Sequence, residues 1–231
     1  MPPRETALSL LSRVLVELQS QPFPARLPPP IRRMFAYAAP EMRFPYNLLM
    51  ANLWCTEGLL LRQLDQTPAT AAMIRTTAAP TRMQAGFKDN VLPTRATASV
   101  NLRLLPGETT ASAVERVRRI ADDPRLRISL SDSLHSADPP PLAEIESFGY
   151  QTLERSIREV FPETVVLPWL LVATTDSRHF APLTDNILRF QPLLLTREDT
   201  PRFHGIDERI AEDNYLQMIR FYRQLLLNSS R

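Results

Sequence analysis

Proline cuts this chain into lengths that no single regular element can cross. Each proline fixes φ and removes a backbone donor, so helices and strands must lie between them. Pro22, Pro24 and Pro28-Pro29-Pro30 close off the first segment, Pro124 stops a later one, and Asp138-Pro139-Pro140-Pro141 reads as a domain boundary. With 22 prolines and only 5 glycines, turns should be stiff and few loops should need positive φ.

Between these breaks the apolar spacing names the elements. Glu5 to Gln19 is expected to be an amphipathic helix with Leu8, Leu11, Leu15 and Leu18 inward. Ile31 to Thr70 reads as helical but interrupted. It carries Leu48, Leu49, Leu53, Trp54, Leu59, Leu60 and Leu61, more leucine than a solvated insertion needs, so it should pack on something. The pattern changes at Ala72. Met73 to Gln84 is Thr-rich and expected to be extended. Ala96 to Leu104 alternates apolar and polar residues, the mark of a strand with one wet face. Glu108 to Asp122 is expected to be helical and Leu126 to Leu130 a short strand. After the boundary come a helix from Ser147 to Val160, an apolar strand from Val165 to Val172, and a short strand at Ile187 to Phe190. A final helix runs from about Glu208 to Leu227, with Tyr215, Met218, Ile219, Tyr222 and Leu226 as its core face.

Several functional classes are disfavoured. A formal charge of +2, with basic residues spread along the chain, argues against a nucleic-acid interface. The single cysteine, Cys55, rules out an internal disulfide framework or a multi-cysteine metal site, and in its leucine-rich segment it reads as buried filler. No apolar run is long enough to cross a membrane, and Met1-Pro2-Pro3-Arg4-Glu5 has no signal-peptide pattern. A cytoplasmic protein without membrane or nucleic-acid partners is the expectation.

Three stretches carry chemistry. They are Lys88-Asp89-Asn90-Val91-Leu92-Pro93 followed by Val100 to Gly107, then Thr175-Asp176-Ser177-Arg178-His179-Phe180, then His204-Gly205-Ile206-Asp207-Glu208-Arg209. Taken singly they are bland. Asn90 is a turn former, Arg103 a solvated or cross-strand residue, and His204 a loop or cap residue. His179 and His135 read as structural or surface residues. In this order and spacing, however, the three stretches resemble the zinc metallopeptidases and aminoacylases, most closely the branch of Gly-X carboxypeptidases and N-acyl amino acid hydrolases.

That resemblance implies an α/β (α+β) fold in two parts. Residues 1–136 would be a ferredoxin-like lid and dimerisation domain lacking its first strand, with a helical insertion at about 22–72. Residues 137–231 would be the C-terminal part of an α/β zinc-peptidase catalytic domain. It implies that the parent enzyme binds two zinc ions and hydrolyses peptide or N-acyl amino acid amide bonds with metal-activated water, as a homodimer joined through the lid. His204 would be the only metal ligand in this stretch. Asn90, Arg103 and Arg178 would grip the substrate carboxylate and scissile carbonyl, a task suited to a guanidinium because it meets a carboxylate with two parallel hydrogen bonds.

The sequence holds no His-x-Asp and no Glu-Glu pair, so the remaining ligands and the general base are absent. A catalytic zinc site wants about three protein ligands plus an open position. The expectation is therefore no catalytic residue in this chain, no zinc retained by it alone, and no hydrolysis. In relatives a Gly-His-Ser-Ser-like segment ends the lid's first strand just before the stretch matching Met1, and its His reaches into the partner's site. The expected lid sheet is thus incomplete, open to partner strands or stabilised by self-association. Val172-Ala173-Thr174 also departs from the family, where a glycine usually precedes the Thr175 loop. Three readings stay open at this level: a hydrolase fragment, a non-catalytic dimerisation or binding module, or a half-enzyme complemented by a separate N-terminal chain.

Overall fold

A computed structural model describes residues 3–130, 136–173, 175–196 and 198–230, without the side chains of residues 178 and 200. The first helix, α1 (Ala7–Ser20), starts on a reciprocal cap. The Thr6 hydroxyl accepts from the Ser9 N–H at 3.2 Å, and the Ser9 hydroxyl accepts from the Thr6 N–H at 2.7 Å. Its buried face is Leu10, Val14 and Leu18, rotated from the expected stripe, and Leu8 is exposed. The insertion follows as α2 (Pro29–Ala38), α3 (Tyr46–Ala51), α4 (Leu53–Leu64) and α5 (Pro68–Ala71). It does pack on something. Ile31, Met34, Phe35 and Leu53 join Leu27, Met73, Ile74, Leu105 and Leu170 in one core, with Leu60, Leu61 and Leu64 against it. That core takes side chains from both sides of Pro139-Pro140-Pro141. Trp54 and Leu59 stay outside, and Cys55 is exposed rather than buried filler, because α4 turns that face away from the cluster.

The hairpin β1 (Thr77–Ala85) and β2 (Ala96–Arg103) is antiparallel, with Thr77 opposite Arg103 and Ala85 opposite Ala96. The register shifts between Pro80 and Arg82, a bulge at the one proline of the two strands. Burial alternates along β2 as its sequence requires, with Ala96, Ala98, Val100 and Leu102 shielded and Thr97, Ser99, Asn101 and Arg103 exposed. The helix α1 packs on the hairpin and on α6 (Thr110–Ala121). The helix α6 is capped by Thr109 and Ser112 in the same way as α1, and it ends on Asp122 at φ 38°. The order α1-β1-β2-α6, with the insertion after α1, follows the helix–strand–strand–helix run of a ferredoxin-like unit. The fold is α+β.

Three expected strands are not strands. Leu126–Leu130, Val165–Val172 and Ile187–Phe190 join no ladder among the described residues. β-propensity measures fit to a neighbouring strand, and among the described residues no strand pairs with these segments.

Two helices complete the chain, α7 (Phe148–Val160) and α8 (Glu212–Ser229), packed on each other. The contact face of α8 is not the expected one. Tyr215, Ile219, Tyr222 and Leu226 are exposed, while Phe221 and Asn228 are buried. Phe221 lies 5.1 Å from the Phe190 ring and 6.4 Å from Phe161. Asn228 donates to the Ser156 hydroxyl at 3.0 Å and to Glu159 Oε2 at 2.8 Å, so its burial is satisfied. A polar clasp and one aromatic outweigh the louder apolar stripe.

Two outcomes test these contacts. Phe221→Ala should cost about 3–5 kcal/mol in chemical denaturation, because a fully buried ring is replaced by a cavity. The second concerns the ionic tie between the start of α1 and the turn after α6. Arg125 Nη2 sits 2.6 Å from both Asp123 Oδ2 and Glu5 Oε2. The Arg125 hydrogen bond lowers the Asp123 carboxyl from 3.8 to about 2. A folded-state pKa below the unfolded one adds stability above the unfolded value, and that stability fades as pH falls through the folded value. Asp123→Asn should therefore destabilise the chain at pH 7, by a margin that shrinks from about pH 4 and vanishes near pH 2, as followed by circular dichroism.

Candidate functional site

The wet face of β2 ends at a cleft of about 820 Å³. Asn101 and Arg103 stand on one wall, at the C-terminal end of the strand. Other walls are Ala137–Ala143, one side of α7 from Tyr150 to Ile157, and the extended runs around Val165–Val172 and Ile187–Leu194. Most of the lining is apolar; Arg103, Arg189, Asp138 and Glu154 supply its charge, and Tyr150, Thr164 and Thr175 its hydroxyls. Arg103 is exposed, and no ion pair or hydrogen bond engages its guanidinium among the described residues. It is free to meet an anion.

Arg189 belongs to none of the three sequence motifs. Its only signal there was a charge inside the apolar run Ile187-Leu188-Arg189-Phe190. In the fold its Nε donates to the Ser177 hydroxyl at 2.6 Å, and Ser177 lies 2.6 Å from the Thr175 hydroxyl. This chain of contacts holds the 3-10 turn Asp176–Phe180, whose backbone carries Arg178. The Arg178 side chain lies outside the described residues, as do Thr174 and His135.

Asn90 is elsewhere. It occupies the exposed turn joining β1 to β2, where the Val91 N–H donates to the Lys88 carbonyl at 3.3 Å. Arg103 ends β2 at the opposite end of the hairpin. Seven strand steps separate Arg103 from Ala96 at the turn end, a reach of roughly 23 Å. One small substrate cannot touch both in a single protomer.

His204 lies in the loop before α8, exposed and outside the cleft lining. The loop is shaped from within. The Thr196 N–H and hydroxyl both donate to Asp199 Oδ2, at 2.9 and 2.7 Å, and Arg202 donates to Asp199 Oδ1 at 2.8 Å. These hydrogen bonds, Thr196 foremost, pull the Asp199 carboxyl below its ordinary range. The Gly205 N–H donates to the Arg202 carbonyl at 2.9 Å. A Cβ on Gly205 would meet the Pro201 carbonyl oxygen at 2.8 Å, so only glycine fits. On either side the backbone is left-handed, at φ 55° for His204 and φ 65° for Asp207. Non-glycine residues in that region are sparse and concentrate where the surroundings impose them. Asp207 pairs with Arg209 at 2.9 Å. Among the described residues no three His, Cys, Asp or Glu side chains are grouped closely enough to hold a metal ion.

With the geometry in place, comparison with known proteins is informative. Residues 3–128 match the family model described as the peptidase dimerisation domain of the M20 group. The chain is 40% identical over 231 residues to the frog (Xenopus tropicalis) N-fatty-acyl-amino acid synthase/hydrolase PM20D1, covering 99% of this chain and 44% of that protein. It is 37% identical to the probable carboxypeptidase S-like 2 of Dictyostelium discoideum, covering 100% of this chain and again 44% of the relative. The chain thus spans less than half the length of these relatives. Among solved structures, the M20 family metallo-carboxypeptidase Sso-CP2 from Sulfolobus solfataricus superposes with a TM-score of 0.55 at 15% identity. It covers 93% of this chain and 51% of that one, a likeness of fold.

The strained loop has a measurable signature. His204→Gly removes a left-handed penalty of roughly 1–2 kcal/mol against a glycine entropy cost of about 0.5–1 kcal/mol. It should raise stability by about 0.5 kcal/mol, whereas Gly205→Ala should lower it, both read from urea midpoints.

Proposed function

Because the chain belongs to the M20 peptidase dimerisation-domain family, we propose that it forms the lid and C-terminal part of a metal-dependent hydrolase acting on peptide or N-acyl amino acid amide bonds. Its share of the work is to bind the substrate's carboxylate. The observation that carries this reading is Arg103, an unengaged guanidinium on the exposed face of β2 at the mouth of the cleft. Such a group recognises a carboxylate with two parallel charge-assisted hydrogen bonds. Arg189 and the 3-10 turn that it steadies supply the second cationic wall, with Arg178 on that turn.

The donors present do not fit a dinuclear zinc site. His204 is one imidazole, and the described residues place no group of ligands around it. A hydrolytic step through metal-bound water is therefore not assigned to this chain. The two zinc ions belong, in this reading, to the complete enzyme, with His204 as the ligand from this part. Asn90, a hairpin's length from Arg103, would serve a neighbouring protomer's site in a lid-mediated homodimer. Among the described residues no helix is long and apolar enough to cross a membrane. The relatives named above extend well beyond the matched region, which favours a part of a larger hydrolase over a self-standing dimerisation module.

Two measurements test the proposal. The purified chain should release no free amino acid from N-acyl amino acids above buffer, with or without added zinc, and should hold no stoichiometric zinc. Robust zinc-dependent hydrolysis by the chain alone would refute it. In the complete enzyme, Arg103→Ala should lower kcat/KM by about 10- to 100-fold, the loss expected for a charge-assisted contact worth about 1.5–3 kcal/mol. Substrates whose carboxylate is capped as an amide should be insensitive to the change. Equal losses on both substrates would remove Arg103 from carboxylate recognition.

A further inference from the structure

The direction of hydrogen bonding along the Arg189 wall fixes one donor in the cleft. The Arg189 Nε–H donates to the Ser177 hydroxyl oxygen at 2.6 Å, and a guanidinium can only donate. The Ser177 and Thr175 hydroxyl oxygens lie 2.6 Å apart, so one hydroxyl hydrogen joins them. The Ser177 backbone N–H also donates to the Thr175 hydroxyl oxygen, at 3.3 Å.

Two orders of donation fit these distances. In the first, Thr175 donates to Ser177. Ser177 then accepts twice, and its own hydrogen is left over. Ser177 is half-buried, and its hydroxyl has no third partner among the described residues. A hydroxyl hydrogen shielded from water without an acceptor costs the desolvation of that group. In the second order Ser177 donates to Thr175, and the spare hydrogen is that of Thr175. Thr175 is exposed and lines the cleft, so this hydrogen has solvent or a ligand to meet. The cation favours the same order. Positive charge at the Ser177 oxygen strengthens that hydroxyl as a donor, and bonds in a chain polarise one another in one sense. The Thr175 oxygen is then occupied by the Ser177 hydroxyl and N–H, and its hydrogen is open to the cleft.

We propose that the Thr175 hydroxyl donates to a carboxylate oxygen of the substrate, and that Ser177 and Arg189 are positioning residues that fix the sense of this donor. The proposal rests on the reading of the cleft as the carboxylate site. It adds to the Arg103 charge a neutral donor that cannot turn round and accept. A carboxylate offers lone pairs on both oxygens. A primary amide in its place turns an N–H₂ toward one of the donors, so the relay discriminates against it.

The test uses the purified chain with two probes, N-acetyl-L-leucine and its primary amide. Without a probe, proton NMR should find the Ser177 hydroxyl hydrogen in slow exchange beside Thr175, and the Thr175 hydrogen exchanging fast with water. A protected Thr175 hydrogen donated to Ser177 overturns the relay. Calorimetric titration then reads the probes. Thr175→Val keeps the shape and removes the hydroxyl. It should weaken binding of the acid about 10-fold and of the amide about 2-fold. Thr175→Ser should bind the acid within about 2-fold of the parent chain, which separates the hydroxyl from a packing role. Ser177→Ala should weaken the acid about 3-fold, yet add nothing in the Thr175→Val background, because it acts through a group already removed. Equal losses from Ser177→Ala in both backgrounds overturn the proposal. So does a Thr175→Val chain that binds the acid as the parent does, or a Thr175→Ser chain that binds it as weakly as Thr175→Val. Arg103→Ala is scored separately. If it spares the acid while the Thr175 and Ser177 variants behave as expected, the Arg103 reading fails and the relay stands. If it weakens the acid selectively while Thr175→Val has no effect, the relay fails and the carboxylate reading stands. A chain that takes up neither probe sinks both.

Discussion

An extended backbone becomes a strand only when another backbone hydrogen-bonds along its edge, and among the described residues one pair of segments does that for each other. Thr77–Ala85 and Ala96–Arg103 close a hairpin, with α1 packed on both strands and α6 packed on α1. Val165–Val172 and Ile187–Phe190 join no ladder among the described residues and stand as walls of the cleft, and Leu126–Leu130 likewise joins none. The cleft, the unpaired amides and much of the exposed apolar surface follow from that single constraint.

What holds the walls in place is side-chain packing rather than hydrogen bonding. The cluster of Ile31, Ile74, Leu105 and Leu170 joins the inserted helices, the end of the hairpin and the Val165–Val172 run. It is reinforced where polar groups would otherwise be orphaned, as when the buried Thr76 hydroxyl accepts the Leu105 N–H at 2.9 Å. A second centre, Phe221 with Phe190 and Phe161, locks α8 to the Ile187–Phe190 run. Arg103 and Arg189 are therefore carried by segments anchored in different cores, and the cleft lies where those cores meet. Basic side chains also tie loops to helices. Arg116 donates to the Pro22 carbonyl at 2.8 Å and lies over the Phe23 ring, fixing α6 to the end of α1.

The loop around His204 shows a different kind of economy. Asp199 gathers Thr196 and Arg202, Gly205 fits under the Pro201 carbonyl, and His204 and Asp207 are left in left-handed backbone. The strain is local and is sustained by hydrogen bonds within the loop. His204 itself is exposed and lies outside the cleft lining.

Sequence alone determined whatever depends on neighbours within a few positions. Helix starts at Thr6, Thr109 and Ser147 came from side chains that reach back one turn. The alternation in Ala96–Leu104 put Arg103 on a wet face, and the spacing of the three motifs pointed to the family. Tertiary structure decided which face of an amphipathic element turns inward. In α8 the apolar stripe of Tyr215, Ile219, Tyr222 and Leu226 was the stronger local signal, yet Phe221 and Asn228 won because α7 and Phe190 offer partners to those two. It also decided which candidates meet. Arg103 and Arg189, 86 positions apart, share a cleft, while Asn90 and Arg103, much closer in sequence, sit at opposite ends of one hairpin. Periodicity records what a residue prefers. Only the folded chain determines what stands opposite it, because pairing and burial are properties of two surfaces rather than one.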